Sequence, residues 1–341
     1  VRIATYNVEW FDSLFDDQGR LLADDKWSGR EDVTRAEQAE ALAIVFTAMD
    51  ADAVMVIEAP DKSSKRDTVQ ALEAFAAEAG IRARRAVMGF KNDTEQEIAL
   101  LYDPDRLTPR HDPQGDTQKQ GQVPRFDGTF RIDLDIDDTL DVVTFSKPPL
   151  ELACASAAGQ EFRLIGVHIK SKAPHGARNS DEAKRIAIAN RRKQLAQCVW
   201  LRKRVEEHLG RGESLIVLGD FNDGPGLDEY EHLFGRSGVE IVMGIDGGEH
   251  ELQLNDPHVR RAISRRLAAA PTTARFFLAD ERCYLSALLD YVMVSDDLME
   301  LGPKWRIWHP FDDPVCYRTE ELREALLTAS DHFPVTVDLP L

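Results

Sequence analysis

Cysteine is scarce in this chain: the four present among 341 residues (Cys154, Cys198, Cys283 and Cys316) include no Cys-x-x-Cys pair. That spacing is what a zinc knuckle or a dithiol redox centre needs, so both classes are set aside. The four read as buried free thiols, with a disulfide between distant positions left open. Long apolar runs are missing too. A bilayer-crossing helix needs about 20 apolar residues, so no integral membrane segment is expected. Positive charge is in deficit, with 42 Lys and Arg against 60 Asp and Glu and a formal net charge of −18. Polyanions are repelled by such a surface, which argues against broad wrapping of nucleic acid and leaves room only for a local basic cleft. The surplus of carboxylates suits a hard divalent cation, which takes oxygen ligands. No internal repeat and no flexible tether is found, so one domain over residues 1–341 is expected. The chain opens at Val1 on a strand-like run without a signal-peptide pattern; one removed upstream stays open, so no compartment is assigned.

What is present is regular alternation of element types. Residues 2–7 alternate apolar and polar as a strand does. Residues 11–30, rich in Asp, Gly and Ser, read as a surface loop. Ala39, Leu42, Val45, Phe46 and Met49 recur three or four apart and predict one face of a helix over 32–49. Residues 53–57 form a short apolar run fit for a buried strand. Val69, Leu72, Phe75 and Ala79 mark a second helix, and 98–102 another strand that stops at Asp103-Pro104. Residues 105–130 read as an excursion. Strands are predicted at 162–168, 214–218, 289–295 and 335–339, with a long charged helix over 180–209. Strands alternating with helices indicate an α/β or α+β protein built on a large sheet core.

Polar residues stand at, or just past, the ends of those strands: Asn7, Glu58, His168, Asp220 with Asn222, Asp290, and Asp331 with His332. A rigid sheet holds groups placed there at fixed separations. Singly, each has a bland account. Glu58 can mark emergence into solvent, Asn222-Asp223-Gly224-Pro225 a turn, Asp331 a cap and His168 a satisfied core histidine. The joint pattern is harder to dismiss.

That pattern resembles the endonuclease/exonuclease/phosphatase superfamily, which includes pancreatic-type deoxyribonucleases, apurinic endonucleases, sphingomyelinases and inositol polyphosphate 5-phosphatases. The matching segments run in family order: Thr5-Tyr6-Asn7-Val8, Val56-Ile57-Glu58, Val167-His168-Ile169-Lys170-Ser171, Gly219-Asp220-Phe221-Asn222, Leu289-Asp290-Tyr291-Val292, and Ser330-Asp331-His332-Phe333-Pro334. Two departures stand out. Ile57 precedes Glu58 where many members carry Gln. In Ser146-Lys147-Pro148-Pro149, Lys147 replaces the usual Arg and supplies charge without a bidentate fork.

The resemblance implies a four-layer α-β-β-α sandwich: two mixed sheets face to face, flanked by helices. It implies that Glu58, with Asn7 nearby, holds Mg²⁺ or Mn²⁺ and that Asp331 joins the same ion or a second one; such an ion keeps several waters and borrows oxygens from a substrate phosphate. Asp220 would orient or deprotonate the attacking water, with Asn222 fixing its direction. His332, held by Asp290, would donate to a nonbridging oxygen, and His168 would contact the phosphate or assist the leaving oxygen. Lys147 and Lys170 would bind phosphate, and Glu97 would orient His168. The expected substrate is a phosphate ester, with nucleic acid as the leading case; no protein partner is indicated. Arg82, Arg84 and Arg85, Arg191, Arg192 and Lys193, and Arg260, Arg261, Arg265 and Arg266 are candidate phosphate contacts or solvated faces. Residues 241–285 are expected to line the substrate cleft. A phosphatase or phospholipase-type hydrolase is the runner-up, and a non-catalytic binding protein on the same fold is the reading from another class.

Overall fold

Side-chain alternation along buried strands sorts the apolar residues of this protein into three layers of core. The structure is a computed structural model, and it describes residues 1–94, 96–116, 123–133, 141–174, 176, 178–226, 235–245, 252–264, 270–278 and 282–341. In chain order the strands begin with β1 (Arg2–Asn7), β2 (Ala53–Ala59), β3 (Arg85–Met88), β4 (Glu97–Tyr102) and β5 (Leu107–His111). They continue with β6 (Phe130–Ile132), β7 (Asp141–Val143), β8 (Leu150–Ser156), β9 (Glu161–His168) and β10 (Leu215–Asp220). The last are β11 (Leu254–Asn255), β12 (Ala274–Leu278), β13 (Cys283–Ala287), β14 (Asp290–Ser295), β15 (Lys304–Ile307) and β16 (Val335–Asp338). The helices that pack on them are α1 (Arg35–Met49), α2 (Thr68–Ala79), α3 (Ser180–Gly210) and α4 (Gly238–Met243). Helix α5 (Pro257–Ile263) follows, then α6 (Asp296–Met299), α7 (Pro314–Arg318) and α8 (Glu320–Ala329).

Two six-stranded sheets form, one in the order β15-β16-β1-β2-β4-β3 and the other β11-β14-β10-β9-β8-β5. Between them lies a core that draws Ile3, Met55 and Leu100 from the first sheet and Leu164, Ile216 and Val292 from the second. Their sequence neighbours point the other way. Tyr6, Val54 and Leu101 pack against Leu42 and Phe46 of α1 and Phe75 of α2. Ile165, Val217 and Met293 pack against Leu201 and Val205 of α3 and Val242 of α4. A period of two with both faces buried is what turns a strand into a continuous apolar run. The four-layer sandwich expected from the resemblance is present.

The helices start where the sequence supplies caps. Thr34 and Glu37 form a capping box at the start of α1, and Asn179 caps the 31-residue α3 through the Glu182 amide. Several strands escape the sequence reading. β3, β5, β11 and β15 are edge strands, and residues 105–130, read as an excursion, include β5. β3, β5 and β15 are only partly buried and carry a weaker apolar signal, β11 is only two residues long, and β8, interior in its sheet, also lies outside the predicted strands. The 11–30 loop also contributes buried Phe11, Leu14 and Phe15 to the core under α1 and α2. Three of the cysteines are buried and Cys283 is exposed, and none of the four is in a disulfide. Among the described residues no helix is long and apolar enough to cross a membrane.

Candidate active site

Strand pairing brings the polar strand ends to one edge of the sandwich. Asn7 ends β1, whose parallel neighbour β2 pairs Ile57 with it. Asp220 ends β10 and is flanked by His168 on one side and Asp290 on the other. Two backbone departures aim the side chains. A bulge between Ile57 and Ala59 carries Glu58 at φ 62°, turning its carboxylate out of the strand alternation. Gly219 sits at φ 139°, and a Cβ there would collide with the backbone of Val167. Only glycine lets β10 press this closely on β9 just before Asp220. The last segment is docked by side chains: Ser330 Oγ donates to the Asn7 carbonyl at 2.8 Å and accepts the His332 amide at 3.2 Å. Thr273 Oγ1 accepts the amides of Leu289 and Asp290 at 3.0 and 2.9 Å, tying the β12–β13 ribbon to the same edge.

The edge opens into a cavity of about 1190 Å³ lined by Asn7, Glu58, His168, Asp220, Asn222, Asp331 and His332. Asp290 stands behind His332 and bonds its Nδ1 at 2.7 Å. Burial alone would discharge His332, but the carboxylates of Asp290, Asp220 and Asp331 outweigh it and hold the imidazole pKa well above its usual value. His168 is the opposite case. Burial, with the charges of Lys147, His332 and Lys170, holds its pKa well below the ordinary value. Its Nδ1 lies 3.2 Å from Lys147 Nζ, and its Nε2 lies 3.6 Å from Asp220 Oδ2 and 3.9 Å from Glu58 Oε1. A neutral ring with Nδ1 accepting from the ammonium keeps its proton on Nε2, facing the carboxylates. Asp220 accepts from Asn7 Nδ2 at 3.0 Å, the Asn222 amide at 2.7 Å and Asn222 Nδ2 at 3.1 Å. Burial pushes its carboxyl up to about 7, against the opposing charge of His332. Burial raises Glu58 as well, opposed by Lys147 and His332.

The donors available to a cation are oxygens. Asn7 Oδ1 is buried without a hydrogen-bond partner, an expensive state for a polar atom unless something else fills its valence. The Glu58 and Asp331 carboxylates share its cavity. Asp220, Asp290 and His332 form a tighter knot, one ligand atom of each lying within 4.8 Å of the others. In that knot the Nδ1 of His332 is already used on Asp290, so the hydrogen-bonded pair accounts for its closeness. Oxygen donors that share one cavity with an orphaned amide oxygen fit a hard divalent ion.

Three sequence expectations change. Glu97 does not reach His168: its carboxylate accepts from the amides of Lys62 and Asn92 and from Asn92 Nδ2. Successive strand residues face opposite sides, and Gln96 is the one that faces the cavity, donating to Glu58 Oε2 at 2.7 Å and accepting from Lys147. Arg191 is fully buried, bonded to Asp223 and Gln194, and presents nothing to a substrate. Arg82, Arg84 and Arg85 are paired with Asp50 and Asp52, with Asp103 and Asp105, and with Glu73. Lys170 lines the cavity with Lys147, Arg260 bonds Asn255, and Arg265 and Arg266 lie outside the described residues. Of residues 241–285, the ribbon residues Phe276, Leu278 and Leu285 line the cavity, while 246–251, 265–269 and 279–281 are not described.

Sequence reasoning missed Glu9, Trp10 and Gln96, which also line the cavity. Glu9 follows the strand-end Asn7 by two residues, a spacing that offered a signal. Burial and the nearby Asp331 push its carboxyl up to about 7, with Arg30 opposing. Phe276 meets the His332 ring edge-on at 5.5 Å.

No curated protein matches the chain in sequence. Solved structures resemble it in fold. Truncated TDP2 of Caenorhabditis elegans is 14% identical with a TM-score of 0.51, the match covering 99% of this chain and 96% of that one. An AP endonuclease from Archaeoglobus fulgidus is 12% identical with a TM-score of 0.52, covering 100% of both chains. At such identities the likeness is one of fold. The sequence profile of the Endonuclease/Exonuclease/phosphatase family matches residues 4–332. With the profile spanning nearly the whole chain, from the first strand to His332 at the cavity, this protein belongs to the endonuclease/exonuclease/phosphatase family, whose members hydrolyse phosphate esters.

Proposed function

We propose that this protein is a Mg²⁺- or Mn²⁺-dependent phosphodiesterase of nuclease type, cleaving by attack of water. The observation that carries the reading is the orphaned Asn7 Oδ1, set with the Glu58 and Asp331 carboxylates in the cavity that also holds the Asp290–His332 pair. Asn7, Glu58 and Asp331 would hold the divalent ion, which would supply positive charge to polarise the phosphoryl oxygen and offset the charge gathered in the displacement. The chain's own residues do the rest. Asp220, held by three N–H donors, orients a water and accepts its proton, and Asn222 keeps that carboxylate from turning. His332, charged and held through Nδ1, offers its Nε2 proton to a nonbridging oxygen. His168 presents Nε2–H, with Lys147 on its far side, and Lys147 and Lys170 supply charge for the phosphate. Phosphoryl transfer asks chiefly for positioning and charge, and no covalent nucleophile is required.

Asp220→Asn and His332→Ala should each lower kcat on an activated phosphodiester by roughly a hundredfold or more. Asp290→Asn should cost less, since it acts through His332. An unchanged kcat with only KM raised in His332→Ala would make that residue a binding group and sink its assigned role. A hydrolase of lipid or other small phosphate esters draws on the same residues, and the apolar wall of Phe276, Leu278 and Leu285 favours it as the second reading. Turnover of such esters with every oligonucleotide left intact would install it.

A further inference from the structure

Trp10 carries a strained backbone beside the proposed metal ligand and has no part in the chemistry described above. It adopts φ 56° and ψ 36°, a left-handed conformation that a bulky residue rarely holds without compensation. Its side chain stands at the cavity wall, 45% exposed. An exposed tryptophan held by strain at a site edge is a residue kept for contact with something else.

The indole is also backed. Gly29 lies so close that a Cβ there would collide with Cβ and Cγ of Trp10. The loop carrying Gly29 is pinned from both sides: the Gly29 amide donates to Ser13 Oγ at 3.1 Å, and Ser13 Oγ donates to the Trp10 carbonyl at 2.7 Å. Arg30 bonds Glu9 and the Leu327 carbonyl. The loop therefore braces the base of the Trp10 side chain, and the residue lines the cavity.

We infer that Trp10 is a stacking platform that receives a nucleobase attached next to the scissile phosphate, making it a specificity-determining residue; this rests on the phosphodiesterase reading above. A cavity of about 1190 Å³ exceeds what a single phosphate and its ion fill, so it has room for a flanking group. A planar, backed indole suits a planar ring. Flexible alkyl chains need no such platform, and stacking on an aromatic face tolerates any base. Lys147 and Lys170, lining the same cavity, hold the phosphate that leads the base there.

The test is a binding measurement, independent of turnover. A fluorescein-labelled thymidine hexanucleotide, the same backbone with abasic tetrahydrofuran units, and an alkyl phosphodiester competitor are titrated by anisotropy. Titrations are run in EDTA and, on an Asp220→Asn background, in Mg²⁺. Trp10→Ala should weaken hexanucleotide binding about 5- to 150-fold, the range for losing one base–aromatic stack. Trp10→Phe should restore most of it, and the abasic strand should bind wild type and Trp10→Ala alike. Equal losses on the base-bearing and abasic strands, no loss, no hexanucleotide binding in either condition, or an alkyl phosphodiester that competes as well as the base-bearing strand would each overturn the inference. Trp10-dependent binding without any cleavage by wild type in Mg²⁺ or Mn²⁺ would instead remove the phosphodiesterase reading and leave the platform standing.

Discussion

Replacing Arg191 with alanine separates a buried support from a substrate contact. Its guanidinium is fully buried, with Nη1 2.6 Å from Asp223 Oδ2 and bonded to Gln194 Oε1. Asp223 is itself buried and keeps two other donors, Lys172 Nζ at 2.9 Å and the Gly238 amide at 2.6 Å. Removing one partner of a buried pair costs about 3–5 kcal/mol, because the remaining charge stays out of water uncompensated. The two remaining donors place Asp223 toward the low end. At about 2.1 cal/mol/K of unfolding entropy per residue, a chain of 341 residues should lose about 4–5 °C in Tm. Arg192, partly exposed and paired with Asp141, should shift Tm by about 1 °C or less when replaced by alanine. Calorimetry reads both. Gln194 also donates to the Asn222 carbonyl at 2.9 Å, so loosening Arg191 should lower kcat equally on small and oligomeric substrates. An unchanged Tm with KM raised only on oligonucleotides would refute the argument and return Arg191 to the substrate.

Other outcomes follow from the same geometry. Gly219→Ala forces a side chain into a backbone conformation worth about 1–3 kcal/mol of strain, besides the collision with Val167. It should lower Tm by several degrees and lower activity; a Tm equal to wild type would contradict the close approach of β10 and β9. If oligonucleotides are substrates, the affinity should depend weakly on salt, because Lys147 and Lys170 line the cavity while Arg82, Arg84 and Arg85 are engaged by acids. Two or three phosphate contacts give a slope of about −2 in log K against log salt, and a slope near −6 would contradict so small a set of contacts.

Most of the central strands, though not β8, and the polar residues at their ends were readable in sequence for one reason. Strands buried on both faces, such as β2 and β10, are short continuous apolar runs, and a polar residue at the end of such a run is conspicuous. Glu58 and Asp220 stood out in this way. Edge strands and the β12–β13 ribbon did not, because Arg275, Phe277 and Tyr284 mix charged and exposed aromatic residues without a buried face to enforce alternation. The Glu97 expectation failed by a single residue, which in a strand is the difference between the cavity and the opposite face. Arg191 was misread because the spacing of charges on a helix does not reveal that one guanidinium folds inward to a buried carboxylate on the β10–α4 connection. Trp10 left no trace, since backbone strain is invisible before the turn after β1 is built.

The most direct measurement is hydrolysis of an activated phosphodiester by the whole protein, first in excess chelator and then with Mg²⁺ or Mn²⁺ restored, alongside Mn²⁺ binding by calorimetry to wild type and Glu58→Gln. Activity should vanish with the chelator and return with either ion. Glu58→Gln should bind Mn²⁺ more weakly, because an amide replaces a charged oxygen ligand of the same shape. Full hydrolysis in chelator, or Mn²⁺ binding unaltered by Glu58→Gln, would contradict the account.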